Sequence, residues 1–258
     1  MTITSLLENT AARAGIAAEH GLSLYIETAT HRILFDMGQT DLFIRNAARL
    51  GIDLSAVDTA VISHGHNDHG GGLEAFLAVN NHAPVFVHQD AFAPHYNGTG
   101  KYIGLDTSFC GHPRLHMTGD RTDLGDGMTL MTCNGLERPN SLGHFGLTEQ
   151  VGDTLVPDDF RHEQYLLIRE GDRRFLISGC THKGILDVTE WFAPDVLVGG
   201  FHVSKLPLDG GLDRIAQTLN TYTTLFYTCH CTGEAQFAYM QTRMPKLRYL
   251  ACGQSVTL

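Results

Sequence analysis

The hydrophobic and polar positions of this chain follow two periods, one typical of strands and one typical of helices. Short β-branched and aromatic runs bounded by turn residues predict strands, and apolar residues three or four positions apart predict helices. The predicted strands are 3–7, 21–28, 31–35, 58–63, 84–88, 115–117, 128–133, 164–169, 175–178, 196–198, 225–227 and 248–251. The predicted helices are 40–50, 73–79, 185–192, 211–219 and 234–240. The two halves have a similar layout, which favours an α/β fold of two mixed sheets covered by helices.

Turn residues connect some of these elements. A turn at residues 29–30 predicts a hairpin between the second and third strands, and the Gly-Asp-Gly turn at 125–127 is expected to join strand 115–117 to strand 128–133. The pattern weakens between residues 89 and 140, where we expect an insertion that shapes a pocket.

Composition narrows the class of protein. A chain of 258 residues with 43% hydrophobic content can bury a large core, and because nothing along it reads as a linker we expect one domain over residues 1–258. The formal charge of −10 argues against a nucleic-acid surface. No apolar run approaches the roughly 18 residues of a membrane span. The first residues lack a basic region followed by an apolar one, so we expect a cytoplasmic protein.

One loop concentrates metal-ligand chemistry. Three histidines and a carboxylate, His64, His66, Asp68 and His69, follow the predicted strand 58–63 and precede three glycines. If the chain is still extended at His64 and His66, both imidazoles lie on the same side and share one ion. Asp68 and His69 lie past a turn and can reach a second ion. A merely solvated cluster is disfavoured, because desolvating these groups together without a cation is costly.

The pattern His64-x-His66-x-Asp68-His69 after an apolar strand resembles the signature of the metallo-β-lactamase superfamily. The resemblance runs from about Asn9 to near the C-terminus and narrows to the branch typified by 7,8-dihydropterin-6-methyl-4-(β-D-ribofuranosyl)aminobenzene-5′-phosphate synthase. It implies a four-layer αββα sandwich of two mixed sheets with a mononuclear or dinuclear metal site. The segments that carry the narrower resemblance are Glu19-His20-Gly21-Leu22-Ser23, Leu34-Phe35-Asp36-Met37-Gly38-Gln39, Ser178-Gly179-Cys180-Thr181-His182, Gly199-Gly200-Phe201-His202 and Cys229-His230-Cys231-Thr232-Gly233.

The resemblance also implies ligands outside the loop, since four ligands do not hold two ions. Cys180 occupies the position where many members of the superfamily carry a bridging aspartate, and a thiolate there favours zinc over iron or manganese. Cys180 as a buried thiol beside the site remains an alternative. His230 matches the last ligand of the superfamily. His182 is a further ligand or else a hydrogen-bonding partner. Cys229 and Cys231 are expected to be small, half-buried residues that flank His230 rather than parts of a zinc motif.

Other residues are expected around the ions. Asp36 matches the aspartate that supports the metal loop through a hydrogen bond, although an ordinary turn residue is the alternative. His162 competes for a ligand position on the first metal, and so do Asp158 and Asp159.

Substrate contacts are expected from two more histidines. His20 and His202 lie beside glycines that allow a ligand to approach closely, and a core or surface histidine is the alternative for each. Lys183 is a candidate for binding an anionic group, with a solvated side chain as its alternative.

We therefore expect two divalent metal ions, zinc first and iron or manganese as alternatives, that lower the pKa of a water while Asp68 orients it. The predicted function is hydrolysis of a small-molecule ester, amide or phosphoester, with an anionic substrate and an oligomeric state left open. Two alternatives remain. One is a transferase that releases pyrophosphate from a dihydropterin diphosphate, and the other is a metal-binding sensor without turnover.

Overall fold

The computed structural model describes residues 1–258, and clustering of their contacts divides them into two compact units. The first unit comprises Met1–Gly119, Gly146–His162 and Ala251–Leu258. The second comprises Asp120–Phe145 and Glu163–Leu250. The expectation of a single domain over residues 1–258 stays a prediction.

Seventeen strands and six helices make up the chain. The strands are β1 (Thr2–Leu7), β2 (Ser23–Glu27), β3 (Arg32–Phe35), β4 (Thr59–Val61), β5 (Val85–His88), β6 (His95–Tyr96), β7 (Leu115–Thr118), β8 (Arg121–Gly125), β9 (Met128–Met131), β10 (Thr148–Val151), β11 (Thr154–Pro157), β12 (Tyr165–Glu170), β13 (Arg173–Ile177), β14 (Val196–Val198), β15 (Leu225–Thr228), β16 (Leu247–Tyr249) and β17 (Ser255–Thr257). The helices are α1 (Leu42–Leu50), α2 (Asn67–Gly70), α3 (Leu73–Val79), α4 (Ile185–Phe192), α5 (Gly210–Asn220) and α6 (Glu234–Gln241). No helix is both long and apolar enough to cross a membrane.

The first unit contains a mixed sheet of seven strands in the order β17-β1-β2-β3-β4-β5-β7. Pairing is antiparallel from β17 to β3 and parallel from β3 to β7. A second sheet of three strands has the order β11-β10-β6. Helix α1 packs its apolar face, including Phe43 and Ala47, into the core of this unit and ends at Gly51, whose φ of 74° is the left-handed C-cap conformation.

The second unit is built around another mixed sheet of seven strands, β16-β15-β14-β13-β12-β9-β8. Pairing is parallel from β16 to β13 and antiparallel from β13 to β8. Val188 of α4, Leu212 and Ile215 of α5 and Met240 of α6 are buried in one apolar cluster with Phe226 of β15. A helix connects each parallel strand of this sheet to the next one, α4 after β13, α5 after β14 and α6 after β15, because a parallel connection needs a crossover.

One predicted connection is wrong. Strand β7 pairs in parallel with β5 in the first unit, and the turn at 125–127 instead joins β8 to β9 in the second. The sequence did not reveal β8 because Arg-Thr-Asp-Leu-Gly has a single apolar residue and forms a largely exposed edge strand. The hairpin of β10 and β11 was missed for the same reason, since most of its residues are exposed.

The parallel strands determine where chemistry can lie. Residues at the carboxyl ends of adjacent parallel strands meet at one edge of a sheet, which is where α/β proteins place their sites. In the first unit these ends carry Asp36 after β3 and the histidine loop after β4. In the second unit they carry Cys180 after β13, His202 after β14 and His230 after β15.

Candidate metal centre

The histidine loop is held by the carboxylate of Asp36. Oδ1 accepts the backbone N–H of Ser63 at 2.7 Å, and Oδ2 accepts the Ser63 hydroxyl at 2.8 Å and Nδ1 of His69 at 2.7 Å. Nδ1 of His64 lies 2.8 Å from the same Ser63 oxygen. All four side chains are buried. Asp36 adopts a φ of 60°, a left-handed conformation that aspartate tolerates better than most residues.

These bonds assign the ring protons. The Ser63 hydroxyl donates its only proton to Asp36, so its oxygen accepts from Nδ1–H of His64. Nδ1–H of His69 donates to Asp36, which is an acceptor only. In both rings the lone pair is therefore on Nε2. A neutral imidazole with its outer nitrogen hydrogen-bonded in this way is the form that ligates metals.

Asp68 lies beside the ring of His69 and is partly open to solvent. Its Oδ2 is 3.8 Å from Nε2 of His69 and 3.2 Å from Nε2 of His20, and the side chain is 17% exposed. Its backbone oxygen accepts the N–H of Leu22 at 3.1 Å. Gly21 permits this approach, because a Cβ there would lie 2.5 Å from that oxygen. The structure thus brings His20, expected to contact substrate, against the carboxylate of the loop.

His66 belongs to a second buried group centred on Asp158. Oδ2 of Asp158 lies 3.6 Å from Nε2 of His66, 3.1 Å from Nδ1 of His95 and 3.3 Å from Nε2 of His162. The four residues offer ligand atoms that all lie within 4.8 Å of one another. Asp159, the neighbouring alternative, is exposed. Of the two aspartates considered from the sequence, only Asp158 is in this group.

The charges of this group follow from burial and hydrogen bonding. Burial lowers the pKa of His66, and it lowers the pKa of His162 to about 3, so both rings are neutral near pH 7. Burial acts to raise the pKa of Asp158, but the hydrogen bond from His162 and the nearby rings of His66 and His95 outweigh it and hold that pKa well below its usual range. The backbone N–H of Gly65 donates to Nδ1 of His162 at 2.9 Å, so His162 carries its proton on Nε2 and donates it to Asp158. This group therefore works as a hydrogen-bonded anion among imidazoles.

Sequence reasoning gave no role to His95. It lies in the two-residue strand β6, well after the loop in the sequence, and only the pairing of β6 with β10 fixes its position beside Asp158. No local spacing signals such a contact.

Cys180, His182 and His202 come together in the second unit. Their ligand atoms lie within 4.8 Å of one another, and the rings of His182 and His202 have centroids 4.2 Å apart. His202, expected to contact substrate, also packs its ring on Phe145 with centroids 5.2 Å apart.

The turn that carries His182 is anchored by a buried carboxylate. Glu163 accepts the backbone N–H groups of His182 at 2.7 Å and Lys183 at 3.1 Å, and the hydroxyl of Tyr165. Lys183 is fully buried and donates from Nζ to the backbone oxygens of Thr132 and Glu163. Both expectations for Lys183, anion binding and a solvated side chain, are therefore wrong, because its ammonium group is satisfied inside the protein.

His230 and Cys231 follow β15 on a short 3₁₀ turn. Both are buried, and their ligand atoms lie within 4.8 Å of one another and of the ligand atom of Cys180. The three residues expected outside the loop, Cys180, His182 and His230, thus all lie in potential ligand groups of the second unit. That the loop and these residues together serve one dinuclear centre stays a prediction.

Comparison with known proteins places this arrangement in a family. The model of the metallo-β-lactamase superfamily matches residues 17–225. The chain belongs to the metallo-β-lactamase superfamily. An uncharacterized protein of Methanocaldococcus jannaschii, MJ0448, is 29% identical over 253 residues, which cover 90% of this chain and 90% of that protein. The 7,8-dihydropterin-6-methyl-4-(β-D-ribofuranosyl)-aminobenzene-5′-phosphate synthase of the same organism is 25% identical over 268 residues, covering 93% and 90%.

One solved structure of the superfamily matches this chain over its whole length. Tm1679, described as a metal-dependent hydrolase of the β-lactamase superfamily, has a TM-score of 0.85 and 28% identity, and the match covers 100% of this chain and 99% of that one. The expected family and the α/β fold class with two mixed sheets are confirmed.

The donors of both units suit divalent metal ions. Neutral imidazoles with their outer nitrogens held, together with carboxylates and thiols, are the groups that bind zinc and its neighbours. The ordered proton positions of His64 and His69 show that these two rings fit a metal-binding role without rearrangement.

Proposed function

We propose that this chain is a metal-dependent hydrolase acting on an ester, amide or phosphoester bond of a small, anionic molecule. The observation that carries the proposal is the bond network from Asp36 through Ser63 to His64 and His69, which turns the lone pairs of two adjacent rings toward ligation. The rings of His64 and His69 have centroids 4.1 Å apart, so their ligating atoms share one region. A loop serving only to pack would not need buried imidazoles with fixed tautomers.

His64, His66 and His69 would hold the metal ions together with Asp68, and zinc is the ion we favour. Bound there, a divalent ion supplies Lewis acidity and a water of lowered pKa. Asp36 contributes by fixing the His69 ring and raising its basicity as a ligand.

We assign the transfer of a proton from water to Asp68. Its partial exposure gives it access to a water and a substrate, which the buried Asp36 lacks. With its oxygen 3.2 Å from Nε2 of His20, it can orient a water and pass a proton toward an exposed imidazole. We assign contact with the substrate to His20, whose side chain is largely exposed, and the same role to His202.

The similarity to Tm1679 supports hydrolysis, since that protein is described as a metal-dependent hydrolase. The 7,8-dihydropterin-6-methyl-4-(β-D-ribofuranosyl)-aminobenzene-5′-phosphate synthase of Methanocaldococcus jannaschii supports the alternative, a transferase reaction, because its name is that of a synthase. In that alternative, metal ions held by these residues would supply positive charge to a pyrophosphate leaving group. The chain is 28% identical to Tm1679 and 25% identical to the synthase, so an experiment has to decide between hydrolysis and transfer.

The test is turnover by the full chain after metal depletion and reloading with zinc, manganese or iron. Chromogenic esters, anilides and phosphoesters form one panel, and a dihydropterin methyl diphosphate with a ribosylaminobenzene phosphate forms the other, with pyrophosphate measured. We expect metal-restored hydrolysis that is lost in Asp68→Asn and kept in Asp153→Asn, a change at an exposed turn residue. Pyrophosphate release without hydrolysis would establish the transferase. Full metal occupancy without turnover on either panel would favour the sensor.

A further inference from the structure

Three neighbouring loops of the second unit converge on a pair of cysteines. Strands β13, β14 and β15 are parallel and adjacent, so the residues that follow them meet at one sheet edge. Cys180 follows the first of these strands, His202 the second, and His230 and Cys231 the third. Cys231 has no place in the ligand set expected from the sequence.

The separations suit one ion. The ligand atoms of Cys180, His230 and Cys231 all lie within 4.8 Å of one another, and all three residues are buried. With metal–sulfur and metal–nitrogen bonds of about 2.3 and 2.0 Å, ligand atoms of a tetrahedral zinc centre are about 3.3 to 3.8 Å apart.

The backbone around the pair is strained. Thr181, His202 and His230 have φ values of 52°, 51° and 48°, a left-handed conformation that residues with a Cβ adopt reluctantly. All three lie next to or within the potential ligand groups. Such strain persists where the surrounding structure requires it, and it collects at binding sites.

Polar contacts fix the position of the Cys231 sulfur. The backbone N–H of His202 donates to this sulfur at 3.3 Å, and Gly200 leaves room for it, since a Cβ there would lie 2.3 Å away. The same sulfur lies 3.5 Å from the backbone oxygen of Cys180. These contacts hold the sulfur of Cys231 close to Cys180 and His230.

The other buried cysteines differ. The sulfur of Cys252 lies 3.0 Å from the backbone oxygen of Leu6, in the first unit. Cys229 is fully buried and belongs to none of the ligand groups described above. Cys180 and Cys231 are therefore the two thiols that lie in one potential ligand group with His230.

We propose that Cys231 is a metal ligand and that Cys180, Cys231 and His230 hold one thiophilic divalent ion, zinc in preference to manganese or iron, within the second unit. Two thiolates make the site softer than the histidine and carboxylate loop of the first unit. The assignment concerns the ion alone and stands whether the reaction is hydrolysis or transfer.

The test uses cobalt as a spectroscopic substitute for zinc in the full chain. Thiolate ligands give cobalt a charge-transfer absorption in the near ultraviolet that imidazole and carboxylate ligands do not give. We expect this band in the wild type. In Cys231→Ser its intensity per chain should fall about twofold, because one of two thiolates is lost. In the matched control Cys229→Ser the intensity should be unchanged. A wild-type chain without the band, or a band that Cys231→Ser leaves intact, overturns the proposal.

A second measurement needs no variant, in case Cys231→Ser does not fold. X-ray absorption of the zinc-loaded wild type counts sulfur neighbours at about 2.3 Å from zinc. The number of sulfur neighbours per zinc is multiplied by the number of zinc ions per chain. We expect the product to be two sulfurs per chain. One sulfur or none contradicts the assignment of Cys231. Neither readout depends on activity, so this inference and the proposed function can fail separately.

Discussion

Nδ1 of His69 donates to Oδ2 of Asp36 over 2.7 Å, in a place that solvent does not reach. The bond fixes both the proton and the orientation of the ring. Because the same carboxylate also receives two bonds from Ser63, which in turn accepts from His64, one residue organises two of the three imidazoles in the loop.

Replacing Asp36 with asparagine should weaken metal binding about 10- to 100-fold, as loss of a partner to a ligating histidine does. Asparagine keeps the shape and tolerates the left-handed backbone of this position, so the fold should survive. Zinc affinity measured against a competing chelator checks the prediction. The control is Asp58→Asn at the opposite end of β4, whose partner is His31, and it should bind zinc like the wild type. Equal zinc affinity in Asp36→Asn and the wild type would show that this bond is not needed for metal binding.

The anion at the centre of three imidazoles gives a second prediction. Asp158→Asn removes the negative charge that lies within 3.6 Å of ring nitrogens of His66, His95 and His162, and it replaces one acceptor oxygen with a donor NH₂ group. We expect the free energy of unfolding to fall by about 1–3 kcal/mol, the cost of leaving buried polar groups unsatisfied. Denaturant unfolding measures it. The exposed neighbour provides the control, since Asp159→Asn should change stability little, and equal effects at the two positions would refute the argument.

We expect the buried carboxylate of Glu163 to contribute strongly to the thermal stability of the protein. Glu163→Gln replaces the buried carboxylate that accepts the backbone N–H groups of His182 and Lys183 and the hydroxyl of Tyr165. Hydrogen bonds to a charged group contribute about 1.5–3 kcal/mol each, so we expect a marked loss of stability. Thermal unfolding should show a lower melting temperature for Glu163→Gln and almost no change for Asp172→Asn in an exposed turn. A decrease no larger than that of the control would mean that the turn carrying His182 does not depend on this carboxylate.

The cysteines should differ in reactivity. Cys110 is exposed, whereas burial raises the pKa of Cys252 to about 12, so almost no thiolate is present there near pH 8. Alkylation of the native protein with iodoacetamide, followed by mass spectrometry of peptides, should label Cys110 first and Cys252 only after unfolding. Comparable labelling rates for the two in the native state would contradict this placement.

The sequence predicted what depends on local order and missed what depends on long-range pairing. The histidine loop, most of the helices and the parallel strands were visible because ligands within six residues of one another and apolar periodicity are local signals. His95, Asp158 and Glu163 acquire their contacts only when distant strands pair, as when β6 joins β10, and no spacing encodes that. Of the strands missed, β6 has only two residues, whereas half or more of each of β8, β10, β11 and β17 is exposed and the apolar pattern is weak.

The most direct test of the account is the metal content of the full chain carrying His69→Ala, compared with wild type and with His116→Ala on the exposed face of β7. Each protein is saturated with zinc, dialysed, checked for folding by circular dichroism and measured for zinc per chain by mass spectrometry. We predict that His69→Ala loses at least one ion per chain while His116→Ala keeps the wild-type content. A folded His69→Ala protein with unchanged zinc content and unchanged activity would show that the loop is not the metal centre.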